Sequence, residues 1–133
     1  MIVIDLDSPT PLTDQIVQAI RRAIALGRVR PGGELPTVRQ LAADLDVNFN
    51  TVSRAYRLLE ASGLVRTSRG RGTRVIADRE AEPQRAGLKA RAALENAVAD
   101  ARLAGMGRED LSALIRLQIE ALWGPAATRE GES

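Results

Sequence analysis

Apolar residues in the first half of the chain recur every three or four positions in three separate stretches. The first stretch contains Leu12, Ile16, Ala19, Ile20, Ala23 and Ile24. The second contains Val38, Leu41, Ala42 and Leu45, and the third contains Val52, Ala55, Tyr56 and Leu59. This spacing places the apolar side chains on one face of a helix. The sequence therefore predicts three amphipathic helices around a common core.

The predicted helices have recognisable ends. Pro11 suits the first turn of the first helix, and Gly27 suits the residue just beyond its last turn. Thr37 and Gln40 have capping-box spacing, with Thr37 as the N-cap of the second helix. Asn48 is the expected N-cap of the third helix, which Gly63 ends.

Two short β-type segments follow the third helix, in residues 64–67 and 73–76, and a Gly-rich basic turn separates them. This pattern predicts a hairpin. A further β-type run, Ile2 to Ile4, opens the chain. Three helices followed by a hairpin is the order of a winged helix-turn-helix, although any three-helix bundle would satisfy the helical pattern alone. The predicted fold class is therefore mostly α with a small β-hairpin wing.

The second half of the chain predicts a separate helical segment. Residues 78–87 are polar, contain Pro83 and are expected to be a linker between a winged helix in residues 1–77 and two helices within residues 88–124. The helices are expected in residues 88–103 and 108–123, with Gly105 and Gly107 between them. The tail, residues 125–133, is expected to be disordered.

Composition removes several classes of function. The chain has no cysteine and no histidine, so disulfides, Cys-based zinc sites and the commonest general base are excluded. No phosphate loop or nucleophile motif is present, and we expect neither an enzyme nor a cofactor or metal site. No apolar run approaches the roughly 20 residues of a membrane helix, and no signal peptide opens the chain, so we expect a cytoplasmic protein.

Charge is distributed unevenly between the two halves. The net charge is +2. Residues 1–75 contain 11 arginines against 7 acidic residues, hence +4, and residues 76–133 contain 8 basic against 10 acidic residues, hence −2. The basic half is also the half with the winged-helix pattern, which favours a nucleic-acid partner. Lys89 is the only lysine in the sequence, and arginine elsewhere suits bidentate contacts with phosphate and guanine. A GC-rich genome would produce the same preference for arginine over lysine.

The third predicted helix carries polar side chains opposite its apolar stripe. Asn50, Ser53, Arg54 and Arg57 lie on that face, and Thr51 lies in the first turn. Short polar groups and guanidinium groups at the start of a helix suit contact with base edges in the DNA major groove. A merely solvated helix face would have a similar composition, so neighbouring features must decide between the two interpretations.

Two other basic positions support DNA binding. Arg39 lies near the N-terminus of the second helix, where a cation opposes the helix dipole and a DNA phosphate would compensate it. A salt bridge to Glu34 or Asp44 is the alternative. In the hairpin turn, Arg69 and Arg71 flank Gly70, and glycine lets the backbone approach a phosphate or a minor groove.

Several stretches of the sequence resemble a known protein family. The stretches GRVRPGGELPTVRQLA at residues 27–42 and VNFNTVSRAYRLLE at residues 47–60 resemble the signature of GntR-family transcriptional regulators. Gly63 to Val65 and Arg71 to Val75 continue the resemblance, which covers roughly residues 10–76. Asn48, Asn50, Thr51 and Val52, with the short C-terminal part, are similar to the YtrA-like branch.

The resemblance implies a set of DNA contacts. Together with the residue pattern, it predicts contacts from Arg39, Asn48, Phe49, Asn50, Thr51, Ser53, Arg54, Arg57, Arg69, Gly70 and Arg71. Two positions depart from the family pattern. Many relatives have an arginine at the position of Phe49, so a guanine contact is expected to be absent and specificity to differ. Asp46 replaces the usual glycine of the turn and tolerates a left-handed conformation less well.

The two C-terminal helices are expected to form a homodimer. The predicted interface consists of Leu94, Val98, Leu111, Leu114, Ile115, Ile119, Leu122 and Trp123. Folding back onto the same chain is the alternative, and Trp123 suits an interface anchor or a core position equally. Two helices do not enclose a ligand cavity of ~300 Å³, so we expect no small-molecule effector pocket there.

The overall expectation is a sequence-specific regulator of transcription that binds double-stranded DNA. We expect a homodimeric repressor on an inverted-repeat operator, because one winged helix covers few base pairs. The alternative is a winged-helix adaptor that binds other proteins and has no specific DNA target.

Overall fold

The computed structural model describes residues 2–76 and 83–124 and divides the chain into two compact units, Met1–Arg79 and Glu80–Ser133. The first unit contains helices α1 (Leu12–Ala25), α2 (Val38–Leu45) and α3 (Phe49–Ala61), followed by strands β1 (Val65–Ser68) and β2 (Gly72–Val75). The second unit contains α4 (Pro83–Leu103) and α5 (Arg108–Trp123). The predicted fold class, mostly helical with a hairpin wing, is confirmed.

The ends of the first three helices follow the predicted local signals. The Thr37 side chain accepts a hydrogen bond from the Gln40 backbone N–H at 3.0 Å, and the Gln40 side chain accepts one from the Thr37 N–H at 2.9 Å. Gly27 adopts φ +77°, and the next N–H, from Arg28, donates to the Ala23 carbonyl at 2.9 Å. This Schellman arrangement satisfies carbonyls that the end of α1 leaves free.

The core of the first unit is formed by one apolar face from each helix and by the hairpin. Its largest fully buried side chains are those of Ile16, Ile20, Val52, Leu59 and Val65. The predicted stripe of α3, namely Val52, Ala55, Tyr56 and Leu59, is buried throughout. Because α3 packs against α1, α2 and β1, its position is fixed by contacts on several sides.

The hairpin pairs antiparallel, with Val65 opposite Val75 and Ser68 opposite Gly72. The segment before α2 adds to the outer side of β2. There the Leu35 N–H donates to the Thr73 carbonyl at 2.8 Å, and Glu34 forms an isolated bridge with Arg74. This third pairing was not predicted from sequence, because Glu34 and Arg74 are forty positions apart.

The N-terminal run does not form a strand in the described part of the chain. The β-type prediction for Ile2 to Ile4 is therefore wrong. Ile2 and Ile4 instead pack against the core from a segment without regular secondary structure. Gln15 fixes this segment, since its side chain accepts from the Asp5 N–H at 2.7 Å and donates to the Asp5 carbonyl at 2.9 Å.

The second unit is a pair of helices joined at Gly105 and Gly107. Helix α4 begins at Pro83, five residues before the predicted start, and a proline suits a first helical turn. Gly105 adopts φ +87°, and Gly107 is the N-cap of α5. Within residues 87–124, no side chain is buried. The remaining linker positions, residues 78–82, and the tail after Gly124 lie outside the described residues.

Candidate nucleic-acid interface

A tight turn connects α2 to α3 and sets the direction of α3. Asp46 occupies the left-handed region at φ 54° and ψ 49°, and it is the only non-glycine residue with positive φ in the described chain. The next N–H, from Val47, donates to the Ala42 carbonyl at 3.0 Å. Helices α2 and α3 pack against each other across this turn. The two helices therefore form a helix-turn-helix.

The N-terminus of α3 is capped by one of the predicted contact residues. The Asn48 side chain accepts a hydrogen bond from the Asn50 N–H at 2.7 Å. This oxygen is therefore occupied, and the Asn48 amide group keeps its NH₂ donors for another partner. The predicted N-cap is confirmed, and the cap orders the first turn from which a DNA contact would be made.

The face of α3 opposite the core is polar and accessible. Asn50, Arg54 and Arg57 are exposed, and Ser53 is half-buried. Residues at positions i, i+4 and i+7 share one helix face, so Asn50, Arg54 and Arg57 form a single stripe. Of the remaining α3 positions predicted to contact DNA, Phe49 is exposed and Thr51 is half-buried. The structure thus gathers all six positions on the first two turns of α3 and the start of the third.

Arg39 is exposed in the first turn of α2, which contains no acidic residue. Within the part of the chain that the structure describes, Arg39 forms no ion pair with Glu34 or Asp44. Its positive charge therefore stays near the positive end of the helix dipole without compensation. This arrangement attracts an anion.

The tip of the hairpin is an exposed basic turn. The Arg71 N–H donates to the Ser68 carbonyl at 3.0 Å, and Gly70 adopts φ +80°. Positive φ at the third residue of a four-residue turn defines a type II turn, which favours glycine. Arg69 and Arg71 flank this glycine and are both exposed.

Arg66 and Arg74 form a second basic feature, on the outer face of the hairpin. The two arginines lie directly opposite each other in the register, and both are exposed. The Arg74 guanidinium donates to the Gly32 carbonyl at 3.1 Å. Facing like charges are destabilising without an anion. Arg66 is absent from the predicted contact set, although the alternation of β1 places it on the face opposite buried Val65.

The residues predicted to form a dimer interface line an open apolar groove of about 510 Å³ between α4 and α5. Leu111, Ile115 and Leu122 are half-buried at its floor. The others are more accessible, with Leu94 at 54%, Ile119 at 50% and Trp123 at 76% exposure. Val98 and Leu114 also line the groove and are exposed. The structure therefore brings all eight residues together within the second unit.

Comparison with known proteins identifies the family of this chain. Residues 12–75 match the family sequence model described as bacterial regulatory proteins, gntR family. The uncharacterized HTH-type transcriptional regulator YhcF of Bacillus subtilis is 32% identical over 104 residues, which cover 78% of this chain and 86% of that protein. The chain belongs to the GntR family. The HTH-type transcriptional repressor YtrA of Bacillus subtilis is 48% identical over 73 residues, 55% of this chain and 56% of the relative.

The chain spans only about half the length of some curated relatives: the match covers 56% of YtrA and 55% of the HTH-type transcriptional regulator Rv1152 of Mycobacterium tuberculosis. The relatives are named as transcriptional regulators, which agrees with the expectation that this GntR-family chain is not an enzyme. Among the described residues, no helix has the length and apolar character needed to cross a membrane.

Two solved structures extend the comparison. A transcriptional antiterminator from Listeria monocytogenes has a TM-score of 0.79 and 27% identity, and the match covers 97% of both chains. The DNA-binding domain of AraR in complex with operator ORX1 has a TM-score of 0.51 and 25% identity, covering 55% of this chain and 92% of that one. The second match thus covers about half of this chain.

Proposed function

We propose that this GntR-family regulator is a repressor that binds double-stranded DNA sequence-specifically, as a homodimer on an inverted-repeat operator. The observation that carries the proposal is the exposed stripe of Asn50, Arg54 and Arg57 on the capped end of α3. Amide groups pair with adenine and guanidinium groups pair with guanine in the major groove. Operator binding by the AraR domain and the repressor name of YtrA support the assignment.

Contacts to the DNA backbone would come from the other basic positions. Arg39 and the free N–H groups of α2 suit one phosphate, and Arg69 and Arg71 at the hairpin tip suit phosphates or a minor groove. Such contacts set the register of the protein on the duplex, whereas the α3 stripe selects the bases.

The second unit supports dimerisation. The apolar groove residues of α4 and α5 remain half-buried or exposed in one chain. They gain a core when α4 and α5 of a second copy pack against them as a four-helix bundle. Two copies would also place two α3 helices on successive half-sites, and two-fold symmetry would make those half-sites an inverted repeat.

DNA binding is tested by selecting duplexes from a random pool and measuring their affinity by fluorescence anisotropy at several salt concentrations. We expect Arg39→Ala to weaken operator binding and to reduce the slope of log affinity against log salt by about one per lost phosphate contact. Arg91→Ala removes the same charge from the exposed surface of α4 and serves as the control. Equal affinity for selected and random duplexes, or no binding, would contradict the proposal.

Dimerisation is tested by light scattering on the full chain. Ile119→Asp introduces a charge into the apolar groove and is expected to yield monomers. Ala113→Asp introduces the same charge on the opposite side of α5, at an exposed position outside the groove, and should leave the dimer intact. An Ile119→Asp protein that remains dimeric would refute the assigned interface. Repression itself is tested by expressing a reporter from a promoter that contains the selected site.

A further inference from the structure

Phe49 is the one apolar side chain among the predicted DNA contacts. It is the first residue of α3, and 49% of its surface is exposed. Its neighbours along the chain, Asn48 and Asn50, are exposed and polar, and Ser53 lies one turn later on the same side of the helix. The ring therefore interrupts a polar surface at the point where that surface begins.

The position of Phe49 directs its ring away from the body of the helix. Cα–Cβ bonds in a helix tilt toward the N-terminus, so a side chain on the first residue projects beyond the first turn. In a helix-turn-helix, the N-terminal residues of the second helix contact base edges. If α3 enters the major groove, the Phe49 ring meets the bases together with Asn50.

A phenyl ring has no hydrogen-bond donor or acceptor and cannot pair with the polar edge of guanine, cytosine or adenine. The major-groove edge of the four base pairs presents one apolar substituent, the 5-methyl group of thymine. Covering this methyl group and the exposed part of the Phe49 side chain removes apolar surface from water on both partners.

We propose that Phe49 is a specificity-determining residue that recognises the 5-methyl group of a thymine in each half-site. The inference rests on the proposed function, because it requires α3 in the major groove. Burial of one methyl group corresponds to about a fourfold change in affinity, and two symmetric half-sites to about sixteenfold.

The experiment replaces thymines of a selected duplex with deoxyuridine, one symmetric pair at a time. This change removes only the methyl group and keeps base pairing. We expect one pair of replacements to weaken wild-type binding about sixteenfold and to leave the affinity of Phe49→Ala unchanged. Phe49→Leu retains an apolar side chain and should retain part of the sensitivity. Thermal unfolding of each variant checks that the fold is intact.

A matched control lies on the same helix. Leu58 is 47% exposed, comparable to Phe49, but it lies in the third turn of α3. Leu58→Ala should respond to deoxyuridine like the wild type. If selected duplexes bind but every replacement affects wild type and Phe49→Ala equally, the role of Phe49 is refuted and the proposed function stands. If no duplex is selected, both the role of Phe49 and the proposed function are refuted.

Discussion

The Tyr56 hydroxyl donates a hydrogen bond of 2.6 Å to the Pro36 carbonyl, across twenty positions of sequence. Tyr56 lies on the buried face of α3 and is 4% exposed, and Pro36 immediately precedes the N-cap of α2. The bond therefore ties the core side of α3 to the N-terminal end of α2. Both helices carry predicted DNA contacts, namely Arg39 on α2 and, on the face of α3 opposite Tyr56, the polar stripe.

Removing this hydroxyl should destabilise the winged helix. In Tyr56→Phe the ring keeps its packing, but the Pro36 carbonyl loses its donor in a half-buried position. We expect the free energy of unfolding to fall by about 1 kcal/mol, the usual net value of such a hydrogen bond. Urea denaturation followed by circular dichroism measures this change. A variant as stable as the wild type would show that the bond contributes nothing.

The same residue predicts a loss of stability at high pH. Burial raises the pKa of the Tyr56 phenol from the ordinary value of 10.0 to about 12. The folded state thus retains the proton more tightly than the unfolded state. The part of the unfolding free energy that depends on protonated Tyr56 is therefore complete below pH 10 and is lost as pH rises toward 12. Between pH 9 and pH 11.5 we expect the unfolding free energy to decrease by roughly 2 kcal/mol more in wild type than in Tyr56→Phe. Parallel pH profiles of the two proteins would contradict this prediction.

The capping box of α2 should contribute measurably to stability. Thr37→Ala removes the acceptor of the Gln40 N–H and is expected to cost about 1 kcal/mol of unfolding free energy. Thr37→Ser retains the oxygen and should restore most of the loss. Chemical denaturation of the three proteins under identical conditions checks the order. If Thr37→Ser is as unstable as Thr37→Ala, the methyl group rather than the cap is responsible.

The turn between α2 and α3 stores a small amount of backbone strain. Asp46 has φ 54°, a conformation that glycine adopts without steric cost. We therefore expect Asp46→Gly to raise the melting temperature, with a gain of roughly 0.5–1 kcal/mol, and Asp46→Ala to lower it. Differential scanning calorimetry distinguishes the three proteins. A melting temperature of Asp46→Gly below that of the wild type would overturn the strain argument.

The residue pattern was sufficient to predict the helices of the first unit and most of their ends. Thr37 with Gln40, Asn48 and Gly27 all act within a few residues of their own position. These signals can be recognised in short stretches of sequence, because capping and helix periodicity depend on contacts between residues at most five positions apart. The same reasoning predicted which side of α3 is polar and hence the residues of the proposed DNA contact.

The contacts between segments that are distant in sequence could not be predicted from the residue pattern. Three such contacts have no local signal: the bond from Tyr56 to Pro36, the pairing of Glu34 with Arg74 and the packing of Ile2 against the core. Such contacts are selected by how whole elements fill the core, so propensity alone gives the wrong state for Ile2 to Ile4. The structure also revealed that half of the Phe49 surface is exposed. A sequence identifies an aromatic residue, but its accessibility depends on which neighbours the fold brings against it.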